Sequence, residues 1–406
     1  MRRLAVLSFH TSPLAQPGTG DGGGMNVYVR ELSSALARAG VDCDVYTRSW
    51  RKGLPDIVDV EPGFRVHHVP AGPEGPATID DLVELVPEFT AGVRERLLDG
   101  NLPDLIHANY WLSGLAGHVL KHELALPLAS TFHTLARVKA EADADHDGRR
   151  ARAEAEAEVI GCSDAILALS TDEAVQLERL YGAVPHRVEI VPPGVDQRLF
   201  SPGDKAEARA ALGLSADPVL LFVGRIQPLK GVDVAVRTLC KLDSASATLV
   251  VVGGPSGPEG EAELERLRRL VVDCRLEGRV RFDPPHRHDD LTTYYRAADV
   301  CLMPSRSESF GLVALEAAAC GTPVVAANVG GLATLVDPGV TGFLVEGRDP
   351  ADYADHVAWL LDGPEAARAM GLRASAKARG YRWSITAGRL RRIYADLTSR
   401  TLVECS

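Results

Sequence analysis

A chain of 406 residues exceeds what one hydrophobic core organises, and with 46% hydrophobic and 24% charged residues it divides naturally into two folded domains. Its net charge of −11 excludes a protein that binds along a phosphate backbone, since that role needs a basic stripe to displace counterions. No apolar run reaches the roughly 18 residues of a membrane span, so neither nucleic acid nor membrane is an expected partner.

The opening MRRLAVLSFH joins two arginines to a short apolar run with no small-residue cleavage signal, so it reads as a first strand rather than a leader. From there, runs rich in Val, Leu and Ile alternate with helical patterns, as in βαβ units on a parallel sheet. A first series comprises LAVLSF (4–9), DVYT (44–47), RVHHV (65–69), DLIHA (104–108), LPLAST (126–131), AILAL (165–169) and VEIVP (188–192). A second comprises VLLFVG (219–224), ATLVVVG (247–253), RVRFD (279–283), VCLMP (300–304), PVVAA (323–327) and GFLVE (342–346). Between them Pro192, Pro193, Gly194, Pro202 and Gly203 break helix and strand alike. The expected division is therefore a first domain over 1–195, a second over 196–380, and a helix over 381–406 that packs back on the first. The fold class is α/β, with two Rossmann-like doubly wound parallel sheets facing a cleft. The seven cysteines (Cys43, Cys162, Cys240, Cys274, Cys301, Cys320, Cys405) are odd in number and lack a CxxC pair, which fits reduced thiols in a cytoplasm.

Ligands of doubly wound sheets bind beyond the carboxyl ends of the strands, so the loops after strands carry the chemistry. After VCLMP comes SRSESFGLVALEAAACGTP, where backbone N–H groups of Ser309, Phe310, Gly311 and Leu312 open a helix and offer an anion site. Glu308 precedes that helix and Glu316 lies within it. A carboxylate only accepts hydrogen bonds, which suits sugar hydroxyls and a ribose diol; an isolated glutamate is otherwise a solvated surface acid. Arg225 and Lys230, in FVGRIQPLKG on the loop leaving the first strand of the second series, can neutralise a departing diphosphate.

These stretches, with the N-terminal HTSPLAQPGTGDGGGMNVYVRELSSAL, resemble the family 4 retaining glycosyltransferases of GT-B architecture. More narrowly they resemble the actinobacterial D-inositol-3-phosphate N-acetylglucosaminyltransferases that begin mycothiol synthesis. The resemblance implies a cytoplasmic enzyme, homodimeric as is usual for the group, taking N-acetylglucosamine from a UDP-sugar donor with no cofactor or metal needed for the chemistry. It implies that Glu308 contacts donor hydroxyls, Glu316 the ribose, and Arg225 and Lys230 the diphosphate. It places Gly23 and Gly24 against the donor, His133 at the donor sugar, and His10, Asn26, Tyr110, Thr134 and Arg152 around the acceptor. It also implies attack from the face of the leaving group, whose phosphate takes the acceptor proton.

One stretch departs from the narrower group, which carries a lysine in the loop after the third strand as a further hold on the acceptor phosphate. The matching AGPEGPATIDDL (71–82) has no basic residue, and Ile79 stands at the lysine position beside Glu74, Asp80 and Asp81. An unphosphorylated cyclitol or an aminocyclitol is therefore the alternative acceptor. Two other activities compete: a UDP-GlcNAc isomerase on the same architecture, and a dinucleotide-dependent oxidoreductase suggested by GTGDGG (18–23). The latter fits poorly because TSPLAQP separates the glycines from the strand. DADHDGRRARAE (143–154) matches a calcium-loop pattern, but three arginines crowd the cation position.

Overall fold

The computed structural model describes residues 1–18, 20, 22–75, 77–100, 102–142, 149–257 and 259–405. The calcium-loop pattern therefore lies, over 143–148, outside the described residues. The chain forms two compact units. Unit 1 is Met1–Ala15, Met25–Pro193 and Trp383–Ser406; unit 2 is Gln16–Gly24 and Gly194–Arg382.

Unit 1 is built on strands β1 (Arg3–Leu7), β2 (Asp42–Arg48), β3 (Ile57–Glu61), β4 (Phe64–Val69), β5 (Leu105–Asn109), β6 (Leu128–Thr131), β7 (Ala165–Ala168) and β8 (Val188–Ile190). They lie in the order β3-β4-β2-β1-β5-β6-β7-β8. Crossovers include α1 (Gly24–Arg38), α2 (Ile79–Glu84), α3 (Val86–Asp99), α4 (Trp111–Leu124), α5 (Ala136–Ala142), α6 (Arg149–Cys162) and α7 (Thr171–Tyr181). The central strands are buried on both faces, which is why they read as unbroken apolar runs. The expected all-parallel sheet needs one correction, because β3 pairs antiparallel with β4 at the edge. Its sequence IVDVE alternates with acids and stays mostly accessible, so no apolar run announces it.

Unit 2 holds β9 (Val219–Val223), β10 (Thr248–Val252), β11 (Val280–Asp283), β12 (Val300–Met303), β13 (Val324–Ala327) and β14 (Gly342–Val345), in the order β11-β10-β9-β12-β13-β14. All its ladders are parallel. Its helices are α8 (Lys205–Leu212), α9 (Val232–Lys241), α10 (Gly260–Asp273), α11 (Leu291–Ala297), α12 (Leu312–Ala319), α13 (Leu332–Leu335), α14 (Pro350–Asp362) and α15 (Pro364–Ala378). In each unit the order reverses about the first strand, β1 or β9, and this creates the switch point at which doubly wound sheets hold ligands.

The final helix, α16 (Trp383–Leu397), completes unit 1. Its Tyr394 hydroxyl meets His107 Nδ1 at 2.9 Å, Thr386 Oγ1 donates to the Pro192 carbonyl at 2.8 Å, and Trp383 lies edge-on to Tyr28. Beyond it, Cys405 is joined to Cys162 in a disulfide. That corrects the expectation of reduced thiols, and a separation of 243 residues explains why spacing could not reveal the pair.

Candidate active site

In unit 2 the loops after β9 and β12 are drawn together by backbone geometry. Arg306 N–H donates to Leu229 O at 2.8 Å. Gly231 has φ +72°, and a Cβ there would sit 2.1 Å from Pro304 O, so only glycine permits this approach. The result is a Lys230 Nζ–Glu308 Oε2 ion pair at 2.6 Å. Gly330, at φ +52°, presses on the same loop, since its Cβ would fall 1.9 Å from Glu308 O. Gly331 N–H donates to that carbonyl at 3.0 Å. Ser309 and Phe310 follow, and Gly311, at φ +97°, caps α12, which starts at Leu312. The first N–H groups of α12 lack intrahelical acceptors and carry the positive end of its dipole.

Helix α12 (LVALEAAA) is apolar except for Glu316, which is buried. Its Oε2 accepts from the Tyr295 hydroxyl and its Oε1 meets His288 Nε2, both at 2.7 Å. Beside this cluster runs the glycine-rich segment: Ser256 Oγ donates to Gly20 O at 2.5 Å, and Gln16 Nε2 donates to Pro285 O at 2.8 Å. A Cβ on Gly23 would lie 3.3 Å from Arg225 Nε, and one on Gly24 would lie 3.6 Å from Leu312. Unit 2 thus gathers Gly23, Gly24, Arg225, Lys230 and Glu308 around the start of α12.

Unit 1 gathers a second set at the ends of β5 and β6. Tyr110 has φ 75° and ψ 155°, a region almost restricted to glycine, and His133 has φ 61°. Such conformations cost about 1–3 kcal/mol each and persist only when the surroundings over-determine them. Here Tyr110 N–H donates to Thr131 O at 2.8 Å, and His133 Nε2 donates to Asn109 Oδ1 at 2.9 Å. Burial, with the nearby imidazoles of His107 and His10 behind it, pushes the His133 pKa down to about 3. The ring is therefore neutral at pH 7, with Nε2 carrying the proton and Nδ1 as its acceptor.

Arg152, on α6, donates through Nη2 to Thr134 O at 2.8 Å and to Thr134 Oγ1 at 2.9 Å. Its guanidinium lies 4.9 Å from the centre of the Tyr110 ring, and that ring lies 4.3 Å from His10. Fully buried Glu156 takes Arg152 Nε at 2.7 Å, the Ala136 N–H at 2.9 Å and the Tyr181 hydroxyl. His10, Tyr110, Thr134 and Arg152 are thus one cluster. Asn26 stands apart in role: its amide donates to Thr11 Oγ1 at 2.7 Å and to Ser12 O at 2.5 Å, tying α1 to the loop after β1.

Two family models match in tandem, a glycosyl transferase 4-like domain over residues 23–194 and glycosyl transferases group 1 over 204–377. A D-inositol 3-phosphate glycosyltransferase of Catenulispora acidiphila is 48% identical over 99% of this chain and 95% of its own length. One from Acidothermus cellulolyticus is 47% identical over 97% and 90%. The chain belongs to this glycosyltransferase family. Sucrose-phosphate synthase from Thermosynechococcus elongatus, 34% identical, superposes with TM-score 0.91 over 98% of this chain and 99% of that one. The Anabaena protein HepE in complex with UDP-glucose, 20% identical, shares the fold with TM-score 0.78 over 98% and 100%. The GT-B expectation therefore holds at the level of architecture.

Several residues of this glycosyltransferase that shape both clusters carry no motif: Asn109 behind His133, Glu156 and Tyr181 behind Arg152, and Tyr295 and His288 on Glu316. One signal was present, a single acid in an otherwise apolar helix, which marks Glu316 as buried and partnered. The departing loop is also better defined. Asp81 is committed to a capping box with Thr78 at the start of α2, and Ile79 packs against the hydrophobic core of unit 1. Asp81 keeps its charge there, held ionised by the Thr78 hydrogen bonds, but its oxygens are turned to the helix start. Arg48 holds the segment before it, donating to the carbonyls of Ala71 at 2.8 Å and Gly75 at 3.0 Å, and to that of Pro73. Among the described residues no helix is long and apolar enough to cross a membrane.

Proposed function

We propose that the chain transfers N-acetylglucosamine from its UDP donor to an inositol phosphate, with retention at the anomeric carbon. The observation that carries the acceptor is the Arg152 fork: a guanidinium fixed by a buried carboxylate, its other edge on Thr134, beneath the strained Tyr110. A pre-set planar fork with a hydroxyl beside it suits a phosphate monoester, and relatives named for inositol 3-phosphate support this reading.

On the donor side, Lys230 and Arg225 meet the diphosphate together with the first N–H groups of α12. Before the donor arrives, Lys230 is paired with Glu308. A diphosphate competes for the lysine, and Glu308 then accepts from sugar hydroxyls. Neutral His133 presents an acceptor to the donor sugar. With the donor bound, Glu308 is engaged by sugar hydroxyls and Glu316 stays held by Tyr295 and His288, which supports same-face attack over a covalent glycosyl-enzyme. In that route the leaving phosphate takes the acceptor proton, and the protein supplies positioning and charge compensation.

The test is a donor-by-acceptor screen for UDP release, with inositol 3-phosphate, free inositol and an aminocyclitol, followed by NMR of the product. The expected result is release that requires the phosphorylated acceptor and a product keeping the donor's α configuration. A UDP-sugar converted to an isomer with no UDP released points to the isomerase, and preference for an unphosphorylated cyclitol refutes the acceptor assignment.

A further inference from the structure

Away from both clusters, unit 1 brings two histidines and two cysteines together. His118 and His122 are one turn apart on α4, with ring centroids 5.0 Å apart, so both present to the same side of the helix. Cys162 ends α6, and Cys405 lies in the tail beyond α16. One ligand atom from each of the four lies within 4.8 Å of every other. His122 Nε2 is 3.1 Å from Cys405 Sγ, and the cysteine Cα atoms are 5.1 Å apart.

We propose that His118, His122, Cys162 and Cys405 form a Cys2His2 site for a zinc ion that clasps the C-terminal tail to unit 1. Zinc bonds of about 2.3 Å to sulfur and 2.0–2.1 Å to nitrogen give tetrahedral edges of about 3.3–3.8 Å. The nitrogens and sulfurs already lie within 4.8 Å of one another, and reduction of the disulfide frees the two sulfurs to separate to such an edge. Two thiolates neutralise the ion, and two neutral imidazoles complete the N/S set that selects zinc among common divalent cations.

Two further features belong to a metal site rather than to a chance cluster. His118 Nδ1 is 3.2 Å from Glu158 Oε1, the carboxylate–histidine arrangement that fixes a ligand's tautomer and leaves Nε2 for the metal. The backbone around the cluster is also held by a buried ion pair. Lys121 Nζ donates to Cys162 O at 2.7 Å and meets Asp164 Oδ2 at 2.9 Å, while Asp164 Oδ1 accepts the Val403 N–H at 2.6 Å. Helix α4, the end of α6 and the tail are thus in register before any ion binds.

The disulfide is the oxidised alternative of the same site. A dithiol reductant breaks the S–S bond, giving two electrons and two protons to the sulfurs and closing its own disulfide. Zinc then displaces the two thiol protons to solvent.

The test uses the full chain, reduced with a dithiol, freed of the reductant without air, and titrated with zinc against a chromophoric chelator. About one zinc per chain is expected for wild type, lost in Cys405→Ser and His122→Ala, two accessible positions whose replacement leaves the core intact. Glu158→Gln should weaken binding by about tenfold to a hundredfold, as loss of a ligand's carboxylate partner does elsewhere. Cobalt substitution should give the intense visible bands of a tetrahedral thiolate complex in wild type and not in Cys405→Ser or His122→Ala. Reduced wild type that retains no zinc, or a Cys405→Ser variant that binds as much as wild type, overturns the proposal.

Discussion

The two clusters are built by opposite means. In unit 2, Lys230 meets Glu308 because two loops at neighbouring strand ends are pressed together by Gly231 and Gly330, so the pair is set mainly by backbone. In unit 1, Arg152 and His133 are set by side chains, Glu156 on the same helix with Tyr181 from another for one, and Asn109 for the other. A backbone-built site leaves a compact signature of glycines and charges in sequence. A side-chain-built site does not, and its failure modes are losses of fold as much as of rate.

That contrast is open to measurement, with the largest effect expected in unit 1. Glu156→Ala strips a fully buried carboxylate from Arg152 and should cost about 3–5 kcal/mol in urea unfolding, the usual penalty for breaking a buried pair. A change under 1 kcal/mol at unaltered m-value would show that the cluster is not supported in this way. Lys230→Ala should leave stability nearly unchanged, because its pair is partly accessible. Its kcat should nevertheless fall about 10²–10³-fold, about 2.7–4 kcal/mol, as when one donor to a developing negative charge is removed. Normal turnover would take Lys230 out of the mechanism.

The third effect is a slope. Burial holds both His107 and His133 down to about 3, below their ordinary value near 6.5. The unfolded chain then binds protons that the folded one refuses, so stability is full above pH 6.5, declines as pH falls and levels off near 3. Each histidine contributes a slope of at most about 1.4 kcal/mol per pH unit. Denaturant melts at pH 7 and pH 5 check it, and equal midpoints would mean that these rings are hydrated in the folded protein.

The same contrast explains how much the sequence disclosed. All thirteen apolar runs it marked hold strands in the structure, and those at the sheet centres are the plainest because strands buried on both faces cannot hide. Edge strand β3 escaped because it is half solvated and carries acids. The stretches FVGRIQPLKG and SRSESFGLVALEAAACGTP delivered Arg225, Lys230, Glu308 and Glu316 together, since each spans one strand end and the turn or helix after it. Arg152 came only through resemblance. What holds it, Glu156 four residues on and Tyr181 from another helix, looks like one more acid in an Ala/Glu run and a helix-terminal aromatic. The positive φ of Tyr110 and His133 has no sequence signal either, because neither is a glycine.

The central claim is that the Arg152 cluster reads a phosphate on the acceptor, and the most direct measurement is a ratio. kcat/KM for inositol 3-phosphate divided by that for free inositol, taken on wild type and on Arg152→Lys, cancels any loss of folded enzyme because both acceptors meet the same preparation. The account predicts a large wild-type ratio that falls about tenfold to a hundredfold in the variant, the equivalent of one charge-assisted contact of about 1.5–3 kcal/mol. A ratio near unity in wild type, or one that Arg152→Lys leaves unchanged, would contradict it.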